Sequence, residues 1–377
     1  MTVAEQQNRE LGLAEFSVVY TDRALNHMSQ RFQGVMRNIS QTLCEVYSAE
    51  QAIVIPGSGT YAMEAVARQF ATDSPCLVVR NGWFSFRWSQ ILERGRIASS
   101  ITVLKAQRDN SEPKTPFAPA PIDQVVAAIK SEKPKVVFAP HVETASGIIL
   151  PDDYIKAMSD AVHSVGGIMV LDCIASGAIW INMRECGVDV LISAPQKGWS
   201  GPSCCGLAML SARAVELLEQ TESSSFACNL KQWQQIMQAY LNGGHAYHAT
   251  MPTDALASFS EVMDETKAYG LDKLKQAQWD LGDKMRAALA ARGVASVADS
   301  GFAAPGVIVS YTDDAALKSG SKFAALGTQI AAGVPLECDE PADFSTFRIG
   351  LFGLDKLYDV DGTVKRFCAV LDEALKA

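Results

Sequence analysis

No stretch of this sequence is apolar for long enough to span a membrane. The most apolar run, GGIMVLDCIASGAIWI from Gly166 to Ile181, is short and carries Asp172 in its interior, which suits a buried strand entering a loop and not a transmembrane helix. The first residues, MTVAEQQNRELG, have no basic stretch followed by an apolar one, so no secretory signal is expected. No block of like charges occurs, and 42 acidic against 33 basic residues leave a net charge of −9. A nucleic-acid partner would call for a basic surface, and none is expected, nor is a membrane partner. Nine cysteines are scattered without a CxxC pair. The odd count and missing pairing fit a reducing cytoplasm, and the adjacent Cys204 and Cys205 do not suit a metal site, so no metal is expected. Repeats and low-complexity tracts are also absent. The GxGxxG dinucleotide fingerprint fails because Ala62 stands where the third glycine belongs, and the Walker lysine is missing.

What is present is a large hydrophobic share, 48% of 377 residues, enough for an extensive core divided over more than one domain. From about Gln51 to Leu210, short apolar runs alternate with amphipathic stretches. Strands are predicted at AIVI (52–55), CLVV (76–79), ITVL (101–104), KVVFA (135–139), IMVLD (168–172), VLIS (190–193) and GLAML (206–210). Helices are predicted between them at 61–70, 84–93, 122–131 and 152–164. Such alternation implies a mostly parallel seven-stranded sheet covered by helices. The polar stretch from Lys105 to Pro121, with four prolines, reads as a surface loop. Beyond Thr253 come long helices at 256–269 and 271–292, short strands at 306–311 and 347–351, and a last helix near 359–376. The expected division is an arm over 1–15, a large domain over 16–252 and a small α+β domain over 253–377.

Three segments carry chemistry. Asp172 ends an apolar strand, and in open α/β sheets ligands bind beyond the carboxyl ends of strands. Twenty-five residues on, Lys197 follows the strand VLIS in the short loop SAPQKGWSG. A lysine in a partly dry site can lose its proton and form a Schiff base. Pyridoxal 5′-phosphate needs both, an acid at its pyridine nitrogen and a lysine at its aldehyde. The third segment is IVIPGSGTYAMEAVARQF, a strand, then Gly57-Ser58-Gly59-Thr60, then a helix. Small residues, free N–H groups and the positive end of the helix dipole suit a phosphate. Ser58, Gly59 and Thr60 are therefore candidate cofactor ligands beside the catalytic pair Lys197 and Asp172.

The order GSGT-helix, NGWFSFRW, HVETASG, the strand ending in Asp172 and the SAPQK loop resembles the alanine–glyoxylate/serine–pyruvate branch of the class V aminotransferases, over about 51–353. The 2-aminoethylphosphonate aminotransferases share the GSG turn and the NG-aromatic element. The resemblance implies fold type I and a transaminase moving the amino group of an alanine- or serine-like donor to a 2-oxo acid such as glyoxylate or pyruvate. It places Phe84, with Trp83 next to it, against one face of the cofactor ring and Ile174 against the other. It assigns Thr144 to the ring oxygen and Gln196 to the phosphate. Tyr247 and Thr250, in AYHATMP, would reach the phosphate of a neighbouring subunit, which implies a homodimer with shared sites. Arg348, in FRIGLFG, would hold the substrate carboxylate through paired hydrogen bonds. His248 receives no role.

The sequence departs from the family in having Phe84 where tryptophan is usual and in lacking the glycine–proline opening near the substrate, where GLAEFSVVYTDRAL stands instead. Donor and acceptor therefore stay open. A 2-aminoethylphosphonate transaminase and a class V lyase or desulfurase are the alternatives. The latter needs a reactive cysteine, for which Cys228 and Cys338 are the candidates in the later half.

Overall fold

The computed structural model describes residues 13–109 and 112–376. The expected N-terminal arm lies outside the described residues except for its last three positions.

A seven-stranded sheet forms the large layer. Its strands are β1 (Gln51–Pro56), β2 (Pro75–Arg80), β3 (Ser100–Lys105), β4 (Val136–Pro140), β5 (Ile168–Asp172), β6 (Val190–Ser193) and β7 (Cys205–Leu210), in the spatial order β1-β7-β6-β5-β4-β2-β3. Only β7 is antiparallel to its neighbours, β1 and β6; β6, β5, β4, β2 and β3 pair in parallel. The inner strands are almost wholly apolar because helices cover both faces, with polar residues such as Asp172 and Ser193 confined to strand ends. All residues of β4, β5, β6 and β7 are buried.

The covering helices include α1 (Gln30–Tyr47), α2 (Gly59–Phe70), α3 (Trp83–Arg94), α4 (Ile122–Glu132), α5 (Asp152–Ser164), α6 (Ala212–Gln220) and α7 (Leu230–Leu241). Helix α1 was not expected from the sequence. It starts where Ser29 accepts the Phe32 N–H, and it buries Phe32, Met36, Ile39, Leu43 and Tyr47 along one stripe. Helices α6 and α7 are likewise unforeseen. The Lys105–Pro121 stretch contains a short ladder, Gln107–Arg108 against Phe117–Ala118.

After α8 (Thr253–Tyr269) and α9 (Leu271–Ala290), a second sheet forms from β8 (Val307–Tyr311), β9 (Ala331–Ala332) and β10 (Thr346–Gly350), antiparallel with β10 in the middle. It packs with α9 and the last helix, α10 (Val360–Ala374), around Leu281, Met285, Phe347 and Leu371. A further apolar cluster joins the two sheets: Val142, Ala145 and Ala175 meet Val309, Leu336 and the partly buried Trp83, Phe84 and Phe352. Buried Gln278 of α9 reinforces this junction. Its Oε1 accepts from the Ala178 amide (3.4 Å) and its Nε2 donates to the Pro305 and Leu351 carbonyls (3.3 and 3.4 Å). No helix among the described residues is long and apolar enough to cross a membrane.

Candidate active site

The chain leaves β1 through Gly57, whose φ of +120° suits only glycine, and enters α2 with Ser58 as the N-cap. The Ser58 hydroxyl makes no capping bond, although its carbonyl accepts from Tyr61 and Ala62. The first turn holds no acidic side chain. First-turn N–H groups lack intrahelical partners, so this helix start is open to an anion. A side chain at Gly59 would meet Ile174 Cδ1 at 2.5 Å, so the absence of one lets Ile174 close over the turn.

Past β2, Asn81-Gly82 lead into α3. The start of this helix is held by Glu143, which is fully buried. Its carboxylate accepts from the Phe84 amide (3.3 Å), the Ser85 amide (2.8 Å) and the Ala145 amide (2.9 Å), and Ser85 Oγ lies 2.7 Å away. Burial raises the Glu143 carboxyl above its ordinary range, and these donors pull it back. The arrangement fixes where Phe84 stands.

Asp172 closes β5. The Ile174 amide donates to its Oδ1 at 3.0 Å, and burial pushes the carboxyl up to about 7. The following turn is tied to the end of β4: the His141 amide donates to the Asp172 carbonyl (2.8 Å), and His141 Nδ1 lies 2.6 Å from Ser176 Oγ.

Lys197 stands in the tight turn after β6. A Cβ at Gly198 would collide with the Gly177 carbonyl, so this loop packs backbone to backbone on the loop after Asp172. Buried Trp199 then anchors it, donating to the Tyr47 hydroxyl at 3.2 Å. The Lys197 amine is half-buried, 5.2 Å from the Phe352 ring centroid. Burial and the nearby Arg348 charge lower its pKa, while Asp172 partly opposes them. A lowered pKa leaves more neutral amine, the nucleophilic form.

These segments enclose one cavity of about 200 Å³. Ser58, Gly59, Thr60 and Gln196 line it, as do Phe84, Ile174, Thr144, Asp172 and Lys197. Phe84, not Trp83, faces the space; Trp83 packs with Phe86, their ring centroids 5.8 Å apart. Arg348 stands beside the cavity: its guanidinium lies 5.5 Å from the Phe84 centroid, Nη1 donates to the Thr144 carbonyl (3.4 Å) and Nε to the Ala332 carbonyl (2.7 Å). Tyr247 and Thr250 lie outside the cavity, exposed and bonded to each other at 3.1 Å. His248 packs against Phe226 and Trp233, and its Nε2 lies 2.9 Å from the Phe226 carbonyl. Cys228 and Cys338 do not line the cavity, and burial raises both thiols, Cys338 to about 12.

Sequence reasoning missed Arg87 and Glu143. Arg87 lines the cavity, and its place three residues after Phe84 in NGWFSFRW put it on the same helical face, a usable signal. Glu143 left none, because the Phe84 and Ser85 amides that it holds are distant in sequence.

The cavity fits pyridoxal phosphate on its own terms. An open helix start and hydroxyl donors suit the phosphate, apolar walls at Phe84 and Ile174 suit a flat ring, and Asp172 and Lys197 suit its nitrogen and aldehyde. A family model, aminotransferase class-V, matches residues 15–310. Alanine–glyoxylate aminotransferase 1 of Saccharomyces cerevisiae is 25% identical over 278 residues, 70% of this chain and 68% of that protein. A 2-aminoethylphosphonate–pyruvate transaminase of Burkholderia ambifaria is 26% identical over 374 residues, 95% of this chain and 92% of that protein. The crystal structure of alanine–glyoxylate aminotransferase from Nostoc sp. superposes with a TM-score of 0.79 at 19% identity, over 93% of this chain and 89% of that one. At that identity the superposition speaks for the fold alone.

Proposed function

This chain belongs to the class V aminotransferases, pyridoxal-phosphate transaminases of fold type I, and on that footing we propose that it moves the amino group of a small amino acid, alanine or serine, to a 2-oxo acid such as glyoxylate or pyruvate. The observation that carries the reading is the convergence of Lys197, Asp172 and the open start of α2 on one small cavity with Arg348 at its edge.

Bound pyridoxal phosphate supplies the electron sink that makes a substrate Cα–H acidic. In our reading Ser58, Gly59, Thr60 and Gln196 hold the phosphate, Phe84 and Ile174 grip the ring faces, and Thr144 contacts the ring oxygen. Asp172 keeps the ring nitrogen protonated. Arg348 takes the substrate carboxylate through its guanidinium fork, which aims Cα at Lys197. Lys197, neutral for a larger share of the time than a free lysine, removes the Cα proton. Proton transfer by a positioned group contributes about 10²–10⁴-fold in rate.

The functional unit in this reading is a homodimer. Tyr247 and Thr250 are exposed on the single chain, on a surface that also exposes Phe226, and they would close the phosphate end of the partner's cavity. Nine free thiols, none paired, favour a cytoplasmic setting. The near full-length match of the Burkholderia ambifaria relative favours one second reading, aminoethylphosphonate as donor.

The test is a visible spectrum of the cofactor-loaded protein and of Lys197→Ala, followed by alanine, serine, aspartate, glutamate and aminoethylphosphonate in turn. A band above the protein absorbance, absent in Lys197→Ala and bleached by alanine or serine, is the expected result. Bleaching by aminoethylphosphonate alone selects the second reading. A protein that takes up no cofactor overturns both.

A further inference from the structure

Arg87 is a charged group that the roles above leave unused. It sits one helical turn after Phe84 on α3, and its guanidinium carbon lies 5.2 Å from the Phe84 centroid. Nη1 donates to Thr60 Oγ1 at 2.9 Å, and Thr60 belongs to the first turn of α2. The guanidinium therefore stands at the open helix start. Arg348 reaches the same ring from the second sheet through Thr144 and Ala332. Arg87 is half-buried, its side-chain hydrogen bond goes to a neutral hydroxyl, and among the described residues no carboxylate forms an ion pair with it. A guanidinium with free donors facing a cavity is built to take an anion. The groups otherwise available for a phosphate, Ser58, Gly59, Thr60 and Gln196, are all neutral, and the helix dipole adds only about half a charge. A phosphate ester carries between one and two negative charges near neutral pH.

We propose that Arg87 is the cation of the phosphate subsite: oriented by Thr60 and Phe84, its guanidinium binds the phosphate ester of the cofactor within the same protomer. This rests on the reading of Ser58–Thr60 as the phosphate cradle. It gives α3 two tasks on one face, Phe84 for the ring and Arg87 for the anion. It also leaves Arg348 as the arginine for the substrate carboxylate.

Equilibrium dialysis of the cofactor-free protein against pyridoxal phosphate and against pyridoxal, which lacks the phosphate, tests the assignment in wild type, Arg87→Gln, Arg87→Lys and Arg348→Gln. Arg87→Gln should weaken pyridoxal phosphate about 10- to 100-fold and leave pyridoxal unchanged. Arg87→Lys should recover part of the loss, and Arg348→Gln should not alter the ratio between the two ligands. Equal weakening of both ligands in Arg87→Gln and Arg87→Lys would overturn the proposal, since Arg87 would then support only the ring wall. So would unchanged affinities together with a raised KM for dicarboxylic donors, which would make Arg87 a substrate arginine. A wild-type protein with no preference for the phosphorylated ligand would sink the cradle reading itself, whereas a preference that survives in Arg87→Gln removes Arg87 alone.

Discussion

Asp172 couples the site to the stability of the fold. Burial raises its carboxyl from an ordinary value of 3.8 to about 7, so between about pH 4 and pH 7 the folded chain keeps a proton that the unfolded chain has released. Asp172 by itself therefore contributes stability that is lost as pH rises through that window, up to roughly 4 kcal/mol, while buried His141, pushed down to about 3, acts in the opposite direction. Urea unfolding at several pH values isolates the Asp172 part: the stability of wild type relative to Asp172→Asn should fall as pH rises from about 4 to 7, and a constant difference would refute it. At this scale, residues inside a local pattern were legible. Asp172 at a strand end, Lys197 in its polar loop and the Gly-Ser-Gly-Thr turn each announce their chemistry within a few positions. Glu143 did not, and Arg87 did so only through its spacing from Phe84. Glu143 meets Phe84 and Ser85 59 and 58 residues away, and Arg87 meets Thr60 27 residues away. Such partners become neighbours only when parallel strands bring their carboxyl ends together.

The elements behind these residues have unequal visibility. The large-sheet strands follow from short, mostly apolar runs; the inner ones, buried on both faces, need no polar alternation, whereas the edge strand β3 carries Thr102 and is only partly buried. Helix α1 carries its core residues Phe32, Met36, Ile39, Leu43 and Tyr47 at helical spacing, but Gly34 interrupts its helix propensity. Helix α3 is tied to the sheet through one aromatic contact in particular. Its Trp88 is fully buried and stacks on Phe138 of β4, centroids 4.3 Å apart. That contact joins the helix bearing Phe84 to the strand leading to Thr144. Trp88→Ala should cost about 3–5 kcal/mol, read as a lowered denaturation midpoint. Trp88→Phe should cost clearly less, because it keeps an aromatic face and removes an indole N–H that has no partner among the described residues. Equal losses in the two variants would mean that the stacking contributes little.

At the scale of the whole molecule, the question is whether one chain makes a complete site. If Tyr247 and Thr250 serve the partner's cavity, a protomer with Lys197→Ala and one with Tyr247→Ala fail separately but complement each other. Their heterodimer contains one site with both defects and one with neither. Unfolding and refolding an equal mixture should then return roughly a quarter of wild-type activity, as random pairing across a two-fold axis requires. A mixture as inactive as its parents would refute shared sites. The sequence carried the order of motifs along the chain, and through it the family. It could not carry the surface on which Tyr247 lies, because exposure depends on the way distant segments pack. The contact between Gly198 and the Gly177 carbonyl bears on the site as well. With no side chain between them, the loop that bears the amine and the loop that bears the acid share one mounting. A methyl group added at Gly198 would be registered by both groups at once, so this scaffold offers little room to retune one of them without disturbing the other.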